Sequence, residues 1–120
     1  MQFILDGPFK PYVRMTQRSK WTNPQAQEYL SSKAGLGLQL KAQMRDNGWK
    51  MLPAKTALDV DLHIIHDGGY HNKDLDNQIK ALLDAAQGIV FRDDRWVDSI
   101  AASREQGHQD RVYMIVTVSS

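Results

Sequence analysis

Acidic side chains crowd into one stretch of this chain, KDLDNQIKALLDAAQGIVFRDDRWV, residues 73–97. Asp74 and Asp76 stand two apart, Lys80 follows Asp76 by four, and Asp93 and Asp94 close the stretch. Carboxylates gathered on a hard divalent cation, with an ammonium beside them, are what metal-assisted cutting of a phosphodiester backbone uses. The spacing sets a condition. Residues two apart in a helix point to different sides, so Asp74 and Asp76 can share a cation only if Asp74 is extended and Asp76 is in the first helical turn. Lys80 then lies one turn on from Asp76, on the same face. A plainer reading competes: aspartate is a favoured helix cap, Asp76–Lys80 is an ordinary surface pair, and Asp93-Asp94 is a solvated turn.

The element that carries these groups is legible. Leu75, Ile79, Leu82, Leu83 and Ala86 recur with the period of an amphipathic helix. Acids sit at both ends of that helix, so the chain must turn back after Ala86 to bring Asp94 towards Asp74 and Asp76. Gly88 permits the turn.

Asp74-Leu75-Asp76-Asn77, Lys80, Asp84-Ala85, Gly88 and Asp93-Asp94 with Val97 resemble the RusA family of Holliday-junction resolvases over roughly residues 73 to 98. The resemblance implies a RusA-like α+β fold in a single domain spanning 1–120, and a dimeric, magnesium-dependent endodeoxyribonuclease of phages and prophages. It implies paired phosphodiester cuts in four-way DNA junctions. Asp74, Asp76 and Asp94 match the family's three essential carboxylates and take Mg2+, with Mn2+ as substitute. Lys80 matches its essential lysine, and Lys73 a basic position that touches DNA. Between Asp84 and Asp93 the connection is one residue shorter than in the best-known member, so the assignment of Asp94 over Asp93 stays open at this point.

Composition limits the alternatives. A chain of 120 residues with 42% hydrophobic content builds one small core. It contains no cysteine, which excludes disulfides, thiolate zinc sites and thiol nucleophiles. The start, MQFILDGPFK, is not that of a signal peptide, and no apolar run approaches the ~20 residues that span a bilayer. The expectation is a protein of the cytoplasm, bacterial or phage-infected, with no membrane partner. Net charge is only +1, but it is unevenly spread: residues 1–55 hold nine basic against three acidic side chains, the remainder six against eleven. One half suits phosphate and the other cations, although chance asymmetry on a solvated surface competes.

The rest of the chain supplies supports. Met1 to Leu5 reads as a short strand. The segment 10–22 mixes Lys10, Arg14, Arg18 and Lys20 with Tyr12 and Trp21; the cations are assigned to DNA contact and the rings to the core. Thr22 or Asn23 caps a helix that opens on Pro24 and runs to about Arg45, with Gly35 and Gly37 marking a bend or close packing. Ala57 to His66 alternates as a half-buried strand, with Asp59 and Asp61 on its solvent side. His63, His66 and His71 fit no zinc spacing and are read as structural or surface residues, with His71 nearest the site. Val97 to Arg104 and Arg111 to Val118 read as strands joined by a hairpin loop at Gln106-Gly107-His108-Gln109-Asp110. Three rivals share this reading: a related nuclease acting on forks and flaps, a non-catalytic DNA-binding module, and a structural phage component.

Overall fold

In the computed structural model, which describes residues 1–10, 23–71 and 73–119, the alternation in the middle of the chain becomes the strand on which the rest is hung. Strand β2 (Leu58–Asp67) buries Leu58, Val60, Leu62, Ile64 and His66 and turns Asp59, Asp61, His63 and Ile65 the other way. It is flanked on both sides. β3 (Val97–Gly107) pairs with it in parallel, and β4 (Arg111–Val118) pairs with it antiparallel. β1 (Gln2–Asp6) adds antiparallel to β4, giving the order β1-β4-β2-β3. The sheet is mixed and, among the described residues, two α-helices accompany it, the α+β class expected.

One expectation fails here. Residues 106–110 do not make a hairpin, because β3 and β4 never pair: β2 lies between them. The connection instead crosses the end of β2, where the Asp110 carboxylate accepts from Asp67 N–H at 2.9 Å and its carbonyl from Gly7 N–H at 3.0 Å. Alternation tells which face a residue takes but not which strand lies beside it.

Helix α1 (Pro24–Asn47) begins at Asn23, whose side chain accepts from Gln25 N–H at 2.9 Å, and stops at Gly48, which takes the left-handed conformation. Of the two cap candidates, only Asn23 lies within the described residues. Gly37 allows the expected close packing, since a Cβ there would sit 3.3 Å from Ile89 Cδ1. Gly35 meets nothing comparable.

The same helix finishes the edge of the sheet. Gln43 receives Ile4 N–H at 2.9 Å and returns a bond to Ile4 C=O at 2.7 Å; Gln39 does the same for Asp6 at 2.7 and 2.8 Å. Two side-chain amides thus stand in for a missing strand, and the outer edge of β1 is not left open to pairing.

Helix α2 (Leu75–Ala86) forms the parallel crossover from β2 to β3, and buries Ala81, Leu82, Leu83, Ala85 and Ala86. The core between helices and sheet contains Phe3, Leu40, Leu62, Met114 and Phe91. No helix among the described residues is long and apolar enough to cross a membrane.

Candidate active site

The start of α2 is built as the acidic spacing requires. After β2 the loop turns at Gly68 (φ 105°), and Lys73 N–H reaches back to Tyr70 C=O at 2.9 Å. Asp74 is extended (φ −77°, ψ 120°), and its Oδ1 accepts from Asp76 N–H at 2.9 Å. Asp74 is therefore the N-cap and Asp76 the acid in the first turn. The cap role falls on Asp74 rather than Asp76, and it uses one of Asp74's two oxygens. Asp76 is exposed, and Lys80, also exposed, follows four residues later on the same face.

The far end of α2 is turned back by backbone bonds. Gly88 has a φ of 83° and donates to Phe91 C=O at 2.7 Å, while Val90 N–H bonds Ala86 C=O at 2.9 Å. Val90 and Phe91 are fully buried, and each side chain contributes roughly 2–3 kcal/mol to holding the turn. The chain then enters a single 3-10 turn, Asp94–Trp96. Asp93 caps it, accepting from Arg95 N–H at 3.0 Å, and Asp94 N–H donates to Gln87 Oε1 at 3.2 Å.

Lys80, Leu83, Asp84, Gln87, Asp93 and Asp94 line one open cavity of about 390 Å³. Its carboxylates are not equivalent. The backbone N–H of Arg95 leads the interactions that lower the Asp93 pKa. Asp94 is pushed the opposite way, first by partial desolvation, then by its hydrogen bond to Asp93 and by the charges of Asp93 and Asp84. Asp84 is anchored elsewhere, receiving the Tyr29 hydroxyl and lying 3.1 Å from Lys33 Nζ on α1. Asp93 thus acts as a cap, and Asp94 is the acid that holds its proton more tightly.

The expected gathering of Asp74, Asp76 and Asp94 on one cation is not formed among the described residues. Among the described residues, no group of three or more histidine or acidic side chains is arranged to hold a metal. The helix explains it. Asp76 belongs to the first turn, Asp94 is tied through its N–H to Gln87 just past the last, and eleven residues of helix rise roughly 16 Å. Asp76 and Lys80 share a face of α2, and Lys80 lines the cavity that also holds Asp94. Oxygen-only donors suit magnesium or manganese, but a three-carboxylate cage on a single ion does not match this arrangement.

Of the expected DNA contacts, Arg14, Arg18 and Lys20 lie outside the described residues. Lys10 is exposed, with its ammonium 4.0 Å from Glu28, and Lys73 is exposed beside Asp74. His71 does not line the acid cavity; its ring lies tilted against Tyr70 at 4.7 Å between centroids. Asp59 and Asp61 stay on the solvent side of β2, Asp59 bonded to Ser99 at 2.6 Å.

Sequence reading missed a polar cluster behind Asp74: His66, Tyr70, Gln78 and Arg104. The signal was available as a break in pattern. His66 is the fifth residue in the buried phase of β2, and Gln78 is a buried polar residue in the helix between Leu75 and Leu82. Arg104 shares the helix-facing phase of β3 with Ala102. Polar groups in apolar phases need partners.

A search of curated proteins finds no match to the chain. The family model for endodeoxyribonuclease RusA matches residues 8–117.

Proposed function

The chain belongs to the RusA endodeoxyribonuclease family, whose members act on branched DNA junctions, and from that membership we propose a metal-dependent enzyme that resolves four-way junctions by paired hydrolysis. The observation that carries the reading is the shared face of α2: Lys80 and Asp94 line one cavity, with Asp76 and the cap Asp74 one turn and less than two turns before Lys80. We assign Asp74 and Asp76 at the start of α2, and Asp94 beyond its end, to Mg2+, with Mn2+ as substitute. Binding is along this face rather than in one closed three-carboxylate cage, with one such domain in each half of a two-fold dimer. Two symmetric cuts need two such faces.

When bound, the cation supplies a water of lowered pKa and neutralises phosphate charge. The chain's own residues do the rest. The Lys80 ammonium stabilises charge growing on the phosphate oxygens or on the departing 3′ oxygen, an electrostatic contribution of a few kcal/mol (about 3) in comparable sites. Asp94, whose surroundings resist ionisation in the metal-free chain, would give up its proton as the cation binds. Lys73 and the basic segment that contains Arg14, Arg18 and Lys20 bind backbone phosphates, with Lys10 at its edge.

The test uses a labelled four-way junction, wild-type protein and Asp76→Asn, each in EDTA, in magnesium and in manganese. Symmetric nicks from the wild type with either metal, and none from Asp76→Asn, are expected. Tight junction binding with no cleavage in either metal would replace the enzyme with a non-catalytic binding module.

A further inference from the structure

Arg104 reaches three points around the start of α2 from the neighbouring strand. It stands on β3 in register with Ile64 of β2, so its side chain rises on the helix side of the sheet. Its Nη1 donates to Lys73 C=O at 2.8 Å and to Gln78 Oε1 at 3.3 Å. The guanidinium carbon lies 5.0 Å from the centre of the Tyr70 ring. These contacts fall on both sides of Asp74 and Asp76 in the chain.

The cluster has one consistent direction of donation. Arg104 occupies the oxygen end of the Gln78 amide, so the nitrogen end faces His66 Nε2 at 2.9 Å and donates to it. His66 is then neutral, with its proton on Nδ1, which is buried and has no partner among the described residues. Tyr70 stacks on the same imidazole at 5.1 Å. Guanidinium, amide, imidazole and phenol ring therefore brace one another.

Placing a guanidinium here opposes the helix dipole, whose positive end α2 presents at this point. The arrangement makes sense as a device for the peptide it holds. Lys73 C=O belongs to the peptide bond that enters Asp74, and fixing that plane fixes the direction from which the Asp74 carboxylate reaches the Asp76 N–H. A lysine at 104 could supply the charge and the donors of one nitrogen, but not the flat guanidinium that lies against the Tyr70 ring while Nη1 makes both bonds.

We propose that Arg104 is a positioning residue, which holds the Lys73–Asp74 peptide and thereby sets the Asp74–Asp76 pair. The assignment rests on the reading of those two acids as part of the active site, but its test does not depend on catalysis alone. Amide hydrogen exchange is followed in metal-free wild type, Arg104→Ala and Arg104→Lys. Exchange at Asp76 and Gln78 should speed by about ten- to a hundredfold in both variants, while the β4 amides of Val112 and Met114 stay unchanged. With metal, kcat on a four-way junction should fall by about tenfold or more with KM and EDTA binding unchanged. Unaltered exchange at Asp76 and Gln78, or a uniform rise across the sheet, overturns the proposal. Loss of junction affinity matching the loss of rate also overturns it and makes Arg104 a DNA contact. If Arg104→Ala does not fold, Arg104→Lys decides. If the wild type cuts no junction, the nuclease reading falls while the exchange result still judges Arg104.

Discussion

Asp74 does two jobs in this reading, and a pair of substitutions separates them. As the N-cap of α2 it accepts the Asp76 N–H at 2.9 Å. Asparagine caps nearly as well as aspartate, whereas alanine forfeits the bond at a cost of about 1 kcal/mol. Unfolding entropy of about 2.1 cal/mol/K per residue over 120 residues makes that equal to roughly 4 °C in Tm. Asp74→Asn also removes a negative charge from the positive end of the helix, worth about 0.3–1 kcal/mol at an exposed site, and relieves repulsion from Asp76. The two charge effects oppose, so Asp74→Asn should melt within about 2 °C of wild type, and Asp74→Ala about 4 °C lower. Junction cleavage should collapse equally in both, by at least about a hundredfold. Thermal unfolding by circular dichroism and a gel assay at saturating magnesium supply the two readings. Asp74→Asn that cuts at the wild-type rate would reduce Asp74 to a cap and remove it from the chemistry.

His66 should make stability fall in acid. Burial, and then the positive charge of Lys73, hold its pKa below the ordinary 6.5, so the unfolded chain takes up a proton that the folded chain refuses. The stabilisation is whole above about pH 6.5 and is lost as pH falls from there to the folded pKa. Urea unfolding from pH 7.5 to 5 should show that slope, and His66→Phe should flatten this part of it; an equal slope in the variant refutes the assignment. Gly107→Ala should destabilise by about 1–3 kcal/mol, because a Cβ there would overlap Ile65 Cγ2 on β2, and Ile65→Ala in the same chain should recover most of the loss. Denaturant midpoints of the single and double variants decide it, and additive losses would show that the two positions do not touch.

The parts legible in the sequence are those written in local periodicity and turn chemistry. The buried phase of β2, the stripe of α2, the extended Asp74 before a helical Asp76, and the return at Gly88 all follow from neighbours within a few residues. Partner choice in the sheet is different. The alternation of Arg111–Val118 is equally compatible with pairing to β3, and only the completed sheet shows that β4 lies between β1 and β2. The glutamine ladder from Gln39 and Gln43 to β1 spans more than thirty residues of chain, and each glutamine taken alone reads as an ordinary amide on the wet side of a helix. Arg104 was hidden for a related reason: its three contacts come from segments 26 to 34 residues earlier.

Held apart by the length of α2, the acids also avoid mutual repulsion. Two carboxylates 4 Å apart repel by about 4 kcal/mol at an effective dielectric of 20, so a chain that gathers three needs compensation for each. This chain gives most of its acids local partners instead. Asp74 takes the Asp76 N–H, Asp93 takes the Arg95 N–H, and Asp84 takes Lys33 with the Tyr29 hydroxyl. Asp94 is left with Asp93 and Asp84 as electrostatic neighbours, and it responds by holding its proton more tightly. Lys80, between that acid and Asp76 on the helix, is the positive charge best placed to serve both. On the reading proposed above, a phosphate approaching this face would meet the Lys80 ammonium beside carboxylates, and a divalent cation bound there would strengthen the hold on DNA by the same electrostatics.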